Sequence, residues 1–173
     1  MAYLTRDDLK RVPIKTESAR AQHYQRKTAS VQTTIFLSHS HKDADIVNQA
    51  VEVLGKQGIH IYVDWRDGSM PAVTSPITAE RIKGRIAECE KFVLLATNNA
   101  LASRWVPWEL GIADVEDGKR KIAILPVEDP PHRWTGNEYV GVYDRIERIG
   151  SHFMVIEPGK QTGIGLEEWI KRK

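Results

Sequence analysis

Two short segments of this 173-residue chain combine residue types and spacing that can do chemistry. In Trp105-Val106-Pro107-Trp108-Glu109 an aromatic ring and a carboxylate stand four positions apart, which on a helix places both on one face. A carboxylate so placed can stabilise developing positive charge, and the ring can stack on a flat ligand. The plainer alternative is that Glu109 favours the positive end of a helix dipole, and from the residues alone that alternative comes first. Trp108 points about 100° away around the helix and is assigned to packing or an interface. The second segment is Ser38-His39-Ser40, two hydroxyls and an imidazole in a row.

Several chemistries are absent by motif. There is no GxGxxG after a strand and no GxxxxGK[ST]. The histidines lack metal-ligand spacing with carboxylates or thiols, and His39 with His41 is too little for a zinc site, so no metal is expected. The single cysteine, Cys89, cannot form an internal disulfide and reads as a buried thiol. The formal charge of +2 divides unevenly: residues 1–33 hold seven Lys/Arg against three Asp/Glu, and the rest is slightly acidic. No basic face therefore argues for nucleic acid. No apolar run is long enough for a membrane helix, and the first residues lack a signal-peptide core, so the cytoplasm is the expected location.

The elements that must position these residues begin at Thr33. Residues 1–32 read as a basic, partly helical arm, and 33–173 as one domain. Apolar runs at 33–38, 59–64, 91–97 and 121–127 read as strands, and SHFMVIEPG supplies a fifth. Helical periods lie between them: Ile46, Val47, Ala50, Val51 and Leu54 recur at spacings of three and four before a stop at Gly58, and Ile77, Ala79, Ile82 and Ile86 are expected on one face of the next helix. Pro107 is tolerable in the first turn of the helix that carries Glu109. Residues 128–150, with two adjacent prolines, read as loop with at most a short helix, and IGLEEWIKRK as a closing amphipathic helix.

Strand and helix in alternation predict a doubly wound α/β fold, with helices on both faces of a parallel sheet. Ligands in such folds sit beyond the carboxyl ends of the strands where the strand order reverses. In a 2-1-3-4-5 order that crevice lies between Ser38, His39 and Ser40 on one side and Thr97, Asn98 and Asn99 on the other.

TTIFLSHSHKD, GIHIYVDWRDG, ITAERIKGRIAECEKFVLLATNNALASRWVPWEL and GKRKIAILPV follow one another in the order of the TIR (Toll/interleukin-1 receptor) domain family, which the chain resembles over about residues 33–157. The resemblance implies a flavodoxin-like sheet of about five parallel strands. It also implies that Glu109 stands where the family's NAD-cleaving members carry their catalytic glutamate. Breaking the nicotinamide–ribose bond passes through an oxocarbenium-like ribose, so one carboxylate can suffice when the leaving group is already a cation.

NAD would then be a substrate, and no recycled cofactor is expected. The same resemblance makes Ser38, His39 and Ser40 candidates to contact ribose or phosphate, with Asp64 either on the ribose hydroxyls or capping its loop. Ser103 either lines the pocket or caps the helix, and Trp105 either stacks on substrate or anchors the core. The loop at 65–76 matches the one through which TIR domains grip a neighbouring subunit. The chain resembles small TIR proteins of anti-phage systems such as Thoeris, where a separate effector reads a nucleotide product that is linear, cyclic or conjugated. The rival expectation is a non-catalytic TIR scaffold, or a virulence factor mimicking host TIR domains.

Overall fold

In the computed structural model, residues 3–14, 34–56, 60–66, 75–117, 121–130, 134 and 136–172 are described. The strands are β1 (Leu4–Thr5), β2 (Thr34–Ser38), β3 (His60–Tyr62), β4 (Lys91–Ala96), β5 (Ile122–Glu128), β6 (Asp144–Ile149), β7 (His152–Ile156) and β8 (Ile164–Gly165). The helices are α1 (Arg6–Lys10), α2 (Ala44–Gly55), α3 (Pro76–Glu88), α4 (Asn98–Leu101), α5 (Val106–Asp117) and α6 (Leu166–Lys171). The sheet runs β3-β2-β4-β5-β6-β7-β8. It is parallel from β3 to β6 and antiparallel from there on. This is the expected flavodoxin-like order, extended by a hairpin at one edge.

Side chains alternate between the faces, as the period of two requires. Ile35, Leu37, Val93, Leu95, Ala123 and Leu125 bury against α2 residues such as Ile46, Ala50 and Leu54, with Trp169 of α6 beside them. Phe36, Phe92, Leu94, Ile122 and Ile124 bury on the other face against Ile82 and Ile86 of α3 and Val106, Leu110 and Ala113 of α5. Phe36 stacks on Tyr62 and on Phe92, which are its partners in register on β3 and β4. Each such ring pair contributes roughly 0.5–1.5 kcal/mol beyond its buried area. Together they lock the register of three strands. A slip of one residue on β2 would turn Ser38 to the opposite face.

The fifth parallel strand is β6, inside the segment expected to be loop, and the segment expected to be that strand is its antiparallel neighbour β7. Sequence patterning missed β6 because DRIERI carries its four charges as two adjacent pairs, which breaks the alternation of a half-buried strand. Arg145 donates to Glu147 on the same strand and to the carbonyls of Glu157 and Lys160 after β7. A short 3-10 turn at Val140–Val142 precedes it.

Ile77 does not join the buried face of α3 and is 60% exposed. The buried stripe is Thr78, Ile82 and Ile86, spaced by four, and Ile77 falls one step around the helix from it. The helix after β2 ends at Gly55, and the expected stop at Gly58 lies outside the described residues.

Residues 3–14 of the expected arm are built into the domain. β1 adds to β5 in parallel, pairing Leu4 with Val127 and Thr5 with Glu128, and Leu9 is fully buried. Thr5 and Asp8 close a capping box that starts α1. Residues 15–32 of that arm, and residues 67–74 of the loop expected to grip a neighbouring subunit, lie outside the described residues. Among the described residues no helix is long and apolar enough to cross a membrane.

Candidate active site

Glu109 sits in the first turn of α5 and is 6% exposed. Its helix starts cleanly: Ser103 Oγ accepts from the backbone N–H of Trp105 and Val106, Pro107 occupies the turn where its missing N–H costs nothing, and Glu109 N–H reaches Trp105 O at 2.9 Å. The even-numbered face of β2, which carries Phe36, points toward α5. Ser38 shares that face, and its Oγ donates to Glu109 Oε2 at 2.6 Å.

Burial pushes the Glu109 carboxyl up to about 7, the negative charge of Asp64 adds to the rise, and the Ser38 hydroxyl opposes it by donating to the ionised form. The helix dipole favours a carboxylate here, but desolvation outweighs it. The result is a carboxyl that changes charge near neutral pH, in surroundings poor in water, where its field on a nearby cation is strong.

His39, also buried, has Nδ1 3.0 Å from the carbonyl of Leu37 and Nε2 3.5 Å from Asp64 Oδ1. Burial lowers its pKa, with Asp64 and the Leu37 carbonyl opposing that shift. Asp64 opens a 3-10 turn at the end of β3, and its other oxygen lies 3.8 Å from His41 Nε2. One carboxylate is therefore shared between the two imidazoles and is near enough to be felt by Glu109.

The residues expected at the site separate into two sets. Ser38, His39 and Asp64 come together with Glu109. Ser40 and Ser103 hold backbone: Ser40 Oγ accepts from Lys42 N–H and starts the turn at His41–Asp43, while Ser103 caps α5. Trp105, half-buried, packs edge-on against Trp108 with ring centroids 5.2 Å apart, and both rest on the core face that α5 covers.

A neighbouring cluster went unread in the sequence. Asp43 stands at the start of α2 but makes no cap bond there. Its fully buried carboxylate instead accepts from Thr97 Oγ1 and Asn99 Nδ2, which follow β4, and from Arg6 of α1. Thr97 and Asn99 had been legible as polar residues at the strand end. Their partner 54 and 56 positions earlier was not.

Known proteins match parts of this chain. A 118-residue stretch is 33% identical to a candidate 3' cyclic ADP-D-ribose synthase, ThsB', of Bacillus cereus (strain MSX-D12), covering 66% of this chain and 60% of that protein. Another, of 117 residues, is 27% identical to a candidate cyclic ADP-D-ribose synthase, TIR2, of Cytobacillus dafuensis, covering 58% of this chain and 31% of that one. The chain thus spans less than two thirds of the length of either relative. The family model described as TIR domain matches residues 35–147, which include all of β2 but Thr34, the shared carboxylate at Asp64 and the helix bearing Glu109. This chain belongs to the TIR domain family.

Proposed function

We propose that the chain is an enzyme that cleaves the nicotinamide–ribose bond of NAD, releasing nicotinamide and forming ADP-ribose, a cyclic isomer of it or a related nucleotide. The observation that carries this reading is the buried Glu109 carboxyl held by the Ser38 hydroxyl at the crevice between β2 and β4. Burying a carboxyl opposes its ionisation, and a domain that only assembles has no need of that cost.

As the bond from C1′ to the pyridinium nitrogen breaks, its electron pair leaves with neutral nicotinamide and positive charge passes to the ribose. Glu109 as carboxylate stabilises that charge. Water then attacks C1′ to give ADP-ribose, or a hydroxyl of the same nucleotide attacks to close a ring, in either case surrendering a proton. On this reading His39 and Asp64 bind ribose hydroxyls and Trp105 stacks on a base. The names of both relatives favour the cyclic product. By its resemblance to the small TIR proteins of anti-phage systems, we take the product to be a signal read by a separate effector, and the 65–76 loop to join subunits.

Nicotinamide release from NAD, with the product identified by mass and chromatography, tests the reading. Wild type at high protein concentration, or in lysate of phage-infected cells, should release nicotinamide, and Glu109→Gln should not. No release by folded wild type under either condition would replace the enzyme with a scaffold.

A further inference from the structure

The run from Ser38 to Asp43 crosses the mouth of the crevice and is fastened at both ends. Ser38 holds it to Glu109. Asp43 holds it to the end of β4 through Thr97 and Asn99. Between them Ser40 receives Lys42 N–H on its hydroxyl and Asp43 N–H on its carbonyl, so the turn has little freedom of its own.

The anchor at Asp43 depends on a residue far outside this run. Arg6 places one guanidinium nitrogen on Asp43 Oδ1 at 2.5 Å and another on Asp45 Oδ1 at 2.6 Å, with Asp129 Oδ2 3.6 Å from Nε. The Arg6 side chain is 13% exposed and the Asp43 side chain is fully buried. Thr97 and Asn99 are neutral donors, so among these contacts Arg6 supplies the counter-charge for an ionised Asp43. Arg6 is itself held in place: β1 pairs with β5 just before it, the Thr5–Asp8 box caps its helix, and Leu9 seats that helix in the core.

We propose that Arg6 is a positioning residue for the active site, acting through Asp43 to hold the Ser38–Asp43 run and thereby the Ser38 hydroxyl against Glu109. Resting on the NAD-cleaving reading for its catalytic consequence, the proposal makes residues 3–14 part of the site's supporting frame, although they precede the matched family region at 35–147. The planar fork is needed, because one guanidinium meets two carboxylates at once and an ammonium cannot reproduce that geometry.

The test uses the full chain and the variants Arg6→Ala and Arg6→Lys, with two measurements. By hydrogen exchange, Arg6→Ala should speed exchange in residues 38–43 about tenfold while β4 stays protected. By nicotinamide release, kcat should fall about tenfold, and the limb of the pH–rate profile near neutrality should move in the same direction as in Ser38→Ala, with part of both effects restored in Arg6→Lys. Loss of folded protein alone scales the rate and leaves that limb in place. Unaltered exchange at 38–43, or an unmoved limb in folded, active Arg6→Ala, overturns the proposal. Should Arg6→Ala not fold, Arg6→Lys bears both measurements, and wild-type values for the two overturn it. A wild type that releases no nicotinamide sinks the NAD reading instead, and the exchange data then decide the clamp by themselves.

Discussion

The Ser38 hydroxyl and the Glu109 carboxyl, 71 positions apart in the chain, meet at 2.6 Å inside the protein. One comes from the end of a parallel strand and the other from the first turn of a helix lying over that strand's face. Their meeting requires both the register of β2 and the seating of α5. It also sets the protonation behaviour of the site, because the two influences on Glu109 have opposite sign: burial favours the neutral acid, and the hydroxyl favours the anion.

Stability should depend on pH through this group. The folded-state pKa of Glu109, about 7, lies above the ordinary glutamate value of 4.5. The folded protein therefore binds the proton more tightly than the unfolded chain, and stability is lost as pH rises from about 4.5 to about 7, with little further loss above. Glu109→Gln lacks that loss. Above pH 7 it should be more stable than wild type by up to roughly 3 kcal/mol, and near pH 4.5 almost equal to it. Urea unfolding of both proteins at pH 5 and pH 8 measures the difference, and an equal gap at the two pH values would count against the buried carboxyl.

Ser38→Ala removes the donor that favours the ionised form. The Glu109 pKa should rise, moving the activity limb to higher pH, so that the rate at neutral pH falls more than the rate at pH 8.5. A hydrogen bond to a charged group is worth about 1.5–3 kcal/mol, which makes the neutral-pH loss tenfold or more. A pH–rate profile of nicotinamide release reads it directly.

Asp64→Asn should act with the opposite sign on Glu109 and the same sign on His39 as burial does. Removing the negative charge lowers the Glu109 pKa and moves the activity limb to lower pH, while His39 loses the charge that supports its imidazolium and titrates lower still. Histidine NMR and the rate profile, followed on the same variant, should move together.

Ser103→Ala distinguishes a helix cap from a substrate contact. With the hydroxyl occupied by Trp105 and Val106 N–H, its loss should cost about 1 kcal/mol of stability and lower Tm by several degrees, leaving KM for NAD near wild type. A large rise in KM with unchanged Tm would return Ser103 to the substrate.

The parts of this protein legible in the sequence are those governed by short-range periodicity. Apolar runs marked β2, β3, β4 and β5; in β2, β4 and β5 they are continuous because strands covered on both faces need not alternate. The i, i+4 relation of Trp105 and Glu109 and the tolerance of Pro107 were local helix geometry. Alternating strand and helix implied the parallel order, and with it the crevice between Ser38 and Thr97. Where local pattern and tertiary context conflicted, pattern failed: charged DRIERI became β6, where Arg145 finds partners on Glu147 and on the segment after β7, and Ile77 faces outward because α3 seats the stripe one position around.

The tertiary structure alone decided the environment of each candidate. Nothing in the residues near Glu109 announces that it is buried enough to titrate near 7, that Ser38 bonds it while Ser40 turns to its own backbone, or that Asp64 is shared by two imidazoles. Asp43 looked like a helix start and Arg6 like part of a basic tail, yet they form an ion pair across 37 positions. Burial and charge pairing depend on which segments fold against one another. The sequence carried the candidates, and the packing of β1, β2 and β4 determined what each of them touches.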